Sequence, residues 1–173
     1  MQIPNPETTP YARGADFCRI FKNDMDRLYL LSFLLTGEDS LAEKCFIQAL
    51  EASQKSNHVF KEWARSWSRR SIIQSAICTV RPQVAYNLWS SPTSEKCGRH
   101  AMTQPAEIAD VIGLPQFERF VFVMSMLERY SYQECSLLLN CTRADVIAAR
   151  TWALQQIAKA TTLPCKVPKH RFG

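Results

Sequence analysis

Ser131-Tyr132-Gln133-Glu134-Cys135-Ser136-Leu137-Leu138-Leu139-Asn140-Cys141-Thr142-Arg143-Ala144-Asp145-Val146 is the stretch that decides the fold class of this chain. Ser131 followed three residues later by Glu134 reads as a capping box, which opens a short helix through Leu139. Asn140-Cys141 reads as a tight turn, and Thr142 as the cap of a second helix. Val146, Ala149, Ala153 and Ile157 recur at helical spacing and give that helix an inward stripe to about residue 160. A short helix, a turn and a longer helix form the layout of a helix-turn-helix unit. Ordinary helical hairpins share this layout, so it sets the architecture and leaves the chemistry open.

Upstream of this stretch the pattern stays helical. Pro115 opens a segment carrying Phe117, Phe120, Val121, Met124 and Leu127, and before it a short helix runs from Pro105 to a stop at Gly113. Residues 82–104 hold Pro82, Pro92 and several serines and threonines, the composition of a flexible linker. The N-terminal half predicts three helices. One covers residues 15–35, with Phe17, Ile20, Phe21, Leu28, Leu31 and Leu35 inward. A second covers about 40–53, capped by Ser40 and Glu43. The third covers about 58–80, burying Phe60, Trp63, Trp67, Ile73 and Ile77. The expected architecture is all-α: a three-helix domain over 11–81, a linker over 82–104, a helix-turn-helix domain over 105–163 and a basic tail over 164–173. Each domain is expected to close its own core.

The composition agrees. The 173 residues are 46% hydrophobic and 21% charged, an ordinary globular balance, and five glycines are too few for a turn-rich β-sandwich or a glycine-loop nucleotide binder. The longest apolar run, residues 28–35, is far short of the roughly 20 residues of a membrane span. The first ten residues lack the pattern of an export signal, so the expected location is cytoplasmic. Seven scattered cysteines suit small buried thiols better than a disulfide framework. The net charge of +5 is concentrated in residues 11–90, with 11 basic and 8 acidic residues, and in the tail.

Several motifs in order carry a resemblance. Leu28 to Glu38 followed by Leu41-Ala42-Glu43, then Phe60-Lys61-Glu62-Trp63 with Trp67-Ser68-Arg69-Arg70, then Leu114-Pro115, Arg119 and the run from Leu127 to Glu134, and last Leu137 to Thr142 with Val146, succeed one another along the chain. Together they resemble a bacterial RNA polymerase sigma factor of the two-domain, extracytoplasmic-function group, in divergent form. The resemblance implies a second-region-like bundle, a fourth-region-like helix-turn-helix, and RNA polymerase core and promoter DNA as partners, with an anti-sigma-type regulator as a further one. It also implies a polymerase-docking face on the second helix, for which Asp39, Glu43 and Gln48 remain here. Lys44 and Ile47 stand where the group carries an acid and a glutamine, which disfavours the usual partner at that surface.

The cations can be read without the resemblance. Lys61, Arg65 and Arg69 are four apart and line one helix face, with Arg70 beside them, a spacing that can follow a phosphate backbone or remain merely solvated. For Trp63 and Trp67 core packing is the expectation, and stacking on an unpaired base the functional alternative. In the helix-turn-helix the residues placed to meet DNA are Thr142, Arg143 and Arg150, a thin set next to Asp145, which repels phosphate. No catalytic constellation and no cofactor motif is present, so an enzyme is not expected. The one possible zinc set, Cys97, His100, Cys165 and His170, lacks the usual tight spacing in both halves, so no metal is assigned. The reading is a sigma-like transcription initiation regulator. The alternative is a sigma-like protein-interaction module with little DNA binding, and an isolated helix-turn-helix repressor would leave the first half without a role.

Overall fold

In the computed structural model, residues 9–56, 58–84 and 106–162 are described, and among them the regular elements are helical. The all-α expectation holds. The N-terminal half consists of α1 (Gly14–Asn23), α2 (Met25–Thr36), α3 (Asp39–Gln54) and α4 (Ala64–Val80), and the C-terminal half of α5 (Ala106–Ile112), α6 (Gln116–Phe122), α7 (Tyr132–Leu139) and α8 (Arg143–Thr162).

Three local expectations are corrected. The long helix over residues 15–35 is broken at Asp24, whose backbone leaves the helical region while its N–H still closes on the Ile20 carbonyl. Asn23 and Asp24 are both weak helix formers, which lets the chain turn there without Gly or Pro. The Ser40–Glu43 box does not form: α3 starts at Asp39, and the Ser40 hydroxyl donates instead to the Glu38 carboxylate at 2.5 Å. The helix expected from His58 begins as a 3₁₀ turn over Lys61–Trp63 and becomes α-helical only at Ala64. An antiparallel bridge between Tyr11 and Phe60 precedes it and ties the N-terminal arm to this turn.

In the C-terminal half, Ser131 and Glu134 form their capping box reciprocally, and Asn140 turns the chain in the left-handed region at φ 51°. A second reciprocal box joins Thr142 to Asp145. Between α6 and α7 the helix widens into a π-helical turn over Val123–Leu127, which ends with the Tyr130 N–H on the Met124 carbonyl.

The two halves share one hydrophobic core. Leu31, Leu34, Leu35, Cys45, Ile72 and Ile73 belong to the same buried cluster as Leu114, Phe117, Phe120, Val121 and Val146. The expectation of separate cores therefore does not describe this arrangement. The cause is α2, which packs on α3 and α4 on one side and on α5 and α6 on the other, and so is buried nearly all round from Leu31 to Leu35, Ser32 included. The Ser32 hydroxyl meets the need of its buried position by donating to the Ala42 carbonyl at 2.7 Å.

Arg119 on α6 bolts the seam. Its side chain is only 8% exposed, and its guanidinium donates to the Leu35 carbonyl at 3.3 Å, the Thr36 carbonyl at 3.0 Å and the Ile112 carbonyl at 3.0 Å. These oxygens end α2 and α5, where helices leave carbonyls without intrahelical donors and favour positive charge. Gly37, at φ 75°, lets the chain leave α2 directly beneath the guanidinium.

Candidate functional site

The cationic residues of the first half converge more than their linear spacing shows. Lys61 lies in the 3₁₀ turn, and Arg65 and Arg69 follow on α4. Arg65 and Arg69 line a groove of about 250 Å³ together with Arg27 of α2 and Asp24. Arg27 was not among the expected contacts, because only the crossing of α2 over α4 brings it beside them. Arg65 stands 3.6 Å from Asp24 with its side chain 71% exposed, and Arg69 stands 3.4 Å from Glu128. The exposed Arg65–Asp24 pair contributes roughly 0–1 kcal/mol and leaves Arg65 to compete for a phosphate, whereas the Glu128 carboxylate that faces Arg69 is only 10% exposed and holds that arginine more firmly.

The tryptophan expectation is reversed. Trp63 is 60% exposed and Trp67 38%. Trp63 falls in the 3₁₀ turn instead of the helical register assumed for it, and so leaves the inward face. Phe60, also expected inside, is at the surface, against Tyr11 at 4.9 Å and Trp63 at 5.3 Å between ring centres. The result is an exposed aromatic row beside Lys61 at the entrance to α4. The core role goes to smaller residues nearby: Val59 and Ala64 are buried with Ala12 and Phe17 in a satellite cluster.

In the helix-turn-helix, Thr142 and Arg143 are exposed at the start of α8, but Arg150 is turned inward. It donates to the Tyr132 hydroxyl and to the Met126 sulfur and lies over the Tyr132 ring, so it braces α8 against α7. The Asp145 carboxylate accepts from the Thr142 backbone and hydroxyl, so its negative charge serves the helix start. The outward face of α8 is then carried by Ala144, Ile147, Ala148, Thr151 and Leu154, mostly apolar.

On α3, Asp39 and Glu43 are exposed one turn apart, with Ile47 on the next turn and Lys44 beside them. The Tyr29 hydroxyl donates to Asp39 at 3.4 Å, and its acidity is weakened first by burial and then by the Asp39 and Glu43 carboxylates. Gln48 accepts from the Thr79 hydroxyl at 3.4 Å and so faces α4. Cys45 and Cys135 are buried, the latter pushed up to about 11 chiefly by desolvation, whereas Cys18 and Cys78 are exposed. Cys97, His100, Cys165 and His170 lie outside the described residues. Among the described residues no group of side chains is placed to hold a metal ion, and no helix is long and apolar enough to cross a membrane.

The seam also forms a cleft of about 590 Å³, lined from α4 by Trp63, Ser66, Trp67, Arg70 and Gln74 and from the α6–α7 connection by Glu128, Arg129, Tyr130 and Glu134. Glu128 is a buried carboxyl whose pKa is raised by desolvation, with Arg69 acting in the opposite direction. A carboxyl raised in the folded state favours folding when protonated. That contribution is complete below the unfolded value of about 4.3 and disappears as pH rises through the folded value. Glu128→Gln is therefore expected to remove a decline in stability on the alkaline side of the carboxylate range. Urea midpoints measured from pH 4 upward, wild type against variant, check this, and parallel curves would contradict it.

Compared with known proteins, the chain matches no protein-family description and no curated sequence.

Proposed function

We propose that this chain is a sigma-factor-like transcription initiation protein that binds RNA polymerase core and promoter DNA. The observation that carries the reading is the groove of Arg27, Arg65 and Arg69 beside the exposed Trp63 and Trp67, in a chain whose other end is a capped helix-turn-helix. Guanidiniums grouped in a groove track a phosphate backbone, and exposed aromatic faces hold unpaired bases. The motif order of the sequence supplies the polymerase part, and the exposure of Asp39 and Glu43 on α3 supports it. Because the halves share a core, reaching two separated promoter elements requires the α2–α5 and α2–α6 contacts to open.

The test is co-elution of the full chain with polymerase core and run-off transcription from a promoter library. Arg65→Ala combined with Arg69→Ala is expected to weaken DNA retention and to lower the salt slope by about two, since each phosphate contact contributes about 0.9. A chain that elutes alone and whose DNA retention is indifferent to both substitutions would overturn the reading.

A second reading, a sigma-like protein-interaction module, is favoured by one observation: α8 presents Ala144, Ile147, Ala148 and Leu154 outward while Arg150 points in. Such a face suits a partner helix better than a major groove. Association with a partner or with itself, without polymerase, would decide for it.

A further inference from the structure

We propose that the cleft at the seam binds a nucleotide, with its base against the Trp63 and Trp67 rings and its phosphate between Arg70 and Arg129. This inference does not depend on the polymerase reading. It rests on which groups in the cleft are already engaged. Both carboxylates are already partnered: Glu134 accepts through Oε2 from the Ser131 N–H at 2.9 Å and from its hydroxyl at 2.8 Å, and Glu128 faces Arg69 at 3.4 Å. The guanidiniums are not. Arg129 has no hydrogen bond or ion pair among the described residues, and Arg70 has only the longer-range influence of Glu134 and Tyr130. The cleft thus holds two available cations beside two aromatic faces that remain in water, and a planar ring carrying a phosphate satisfies both.

Size and backbone agree. A volume of about 590 Å³ lies in the range of sites for small ligands and cofactors. Arg129 sits at φ 58°, just after the π-helical turn, a position where glycine or asparagine is the undemanding choice. A long cationic side chain there gains nothing for the backbone, and it lines the cleft. Since α4 forms one wall and the α6–α7 connection the other, a bound nucleotide holds the two halves together, and its binding stabilises the closed arrangement.

The experiment titrates the full-length chain with ADP, GDP, adenosine, inorganic phosphate and a short oligodeoxythymidylate, reading tryptophan fluorescence and calorimetric heat. Quenching that saturates with a nucleoside phosphate is expected, at an affinity at least about tenfold above those for adenosine and phosphate alone. Arg129→Gly with Arg70→Gln is expected to weaken binding about tenfold or more while leaving the melting temperature of the free protein close to wild type, and Trp63→Leu to reduce the quenching to the part that Trp67 contributes. Binding of the oligonucleotide but of neither ADP nor GDP would overturn the proposal, because it assigns the two rings to a DNA strand as in the promoter reading. Absence of saturable binding for all of them, phosphate alone binding as tightly as ADP, or affinity unaffected by the paired arginine substitutions would each overturn the proposal.

Discussion

Arg119→Ala is expected to lower the unfolding free energy by about 3 kcal/mol. A charged donor to a buried carbonyl contributes roughly 1.5–3 kcal/mol, and loss of one partner leaves the other desolvated without compensation. Arg119 serves three such carbonyls at once, those of Leu35, Thr36 and Ile112. The contributions do not add in full, because the freed ends of α2 and α5 regain some water, so the expected figure sits near a single strong interaction plus the vacated volume. Arg119→Lys retains the charge but has one nitrogen in place of a planar fork, and its loss is expected to be smaller yet clear. Guanidinium melts followed by circular dichroism measure both. Since Arg119 joins ends of helices from opposite halves, the alanine variant is also expected to broaden the transition, or to split it in two. A midpoint equal to that of the wild type would show that the seam is held by its apolar contacts alone.

Gly37→Ala is expected to cost about as much, for two separable reasons. A left-handed backbone costs an L-residue roughly 1–2 kcal/mol. The new methyl would also lie 2.9 Å from the Arg119 Nη1 and 3.1 Å from its Cζ, closer than such atoms approach, so the guanidinium must shift off its carbonyls. The double variant separates the two. With Arg119 already alanine, Gly37→Ala should cost only the backbone part, leaving a coupling of about 1–2 kcal/mol between the positions. Additive losses would mean that the guanidinium moves aside without cost.

What could be read before any coordinates follows from local chemistry. The Ser131–Glu134 box, the Asn140 turn and the inward positions Val146, Ala149 and Ala153 were legible because each depends on neighbours within one or two turns. Arg65 and Arg69 were legible as a pair for the same reason, being one turn apart on α4, whereas Lys61 falls in the 3₁₀ turn and does not line their groove. The seam was not. Nothing local distinguishes a helix that is apolar on one face from one covered on both, and the burial of Phe33 and Leu34 beyond the expected inward stripe became meaningful only once α5 and α6 were found against α2. Trp63 was misplaced because a 3₁₀ turn shifts the phase of the side chains by a fraction of a turn, enough to move a ring from core to solvent. Arg27, Glu128 and Arg129 gain their places from elements distant in sequence, a relation that periodicity does not encode.

The π-helical turn over Val123–Leu127 makes chain length itself part of the design. One residue fewer would restore ordinary α-helical winding and rotate everything downstream by about 100° around the helix axis. Glu128 would swing away from Arg69, and the hairpin of α7 and α8 would be presented in another direction. In a library of variants, then, this short segment should accept changes of residue type far more readily than any insertion or deletion, because what it supplies is an angle.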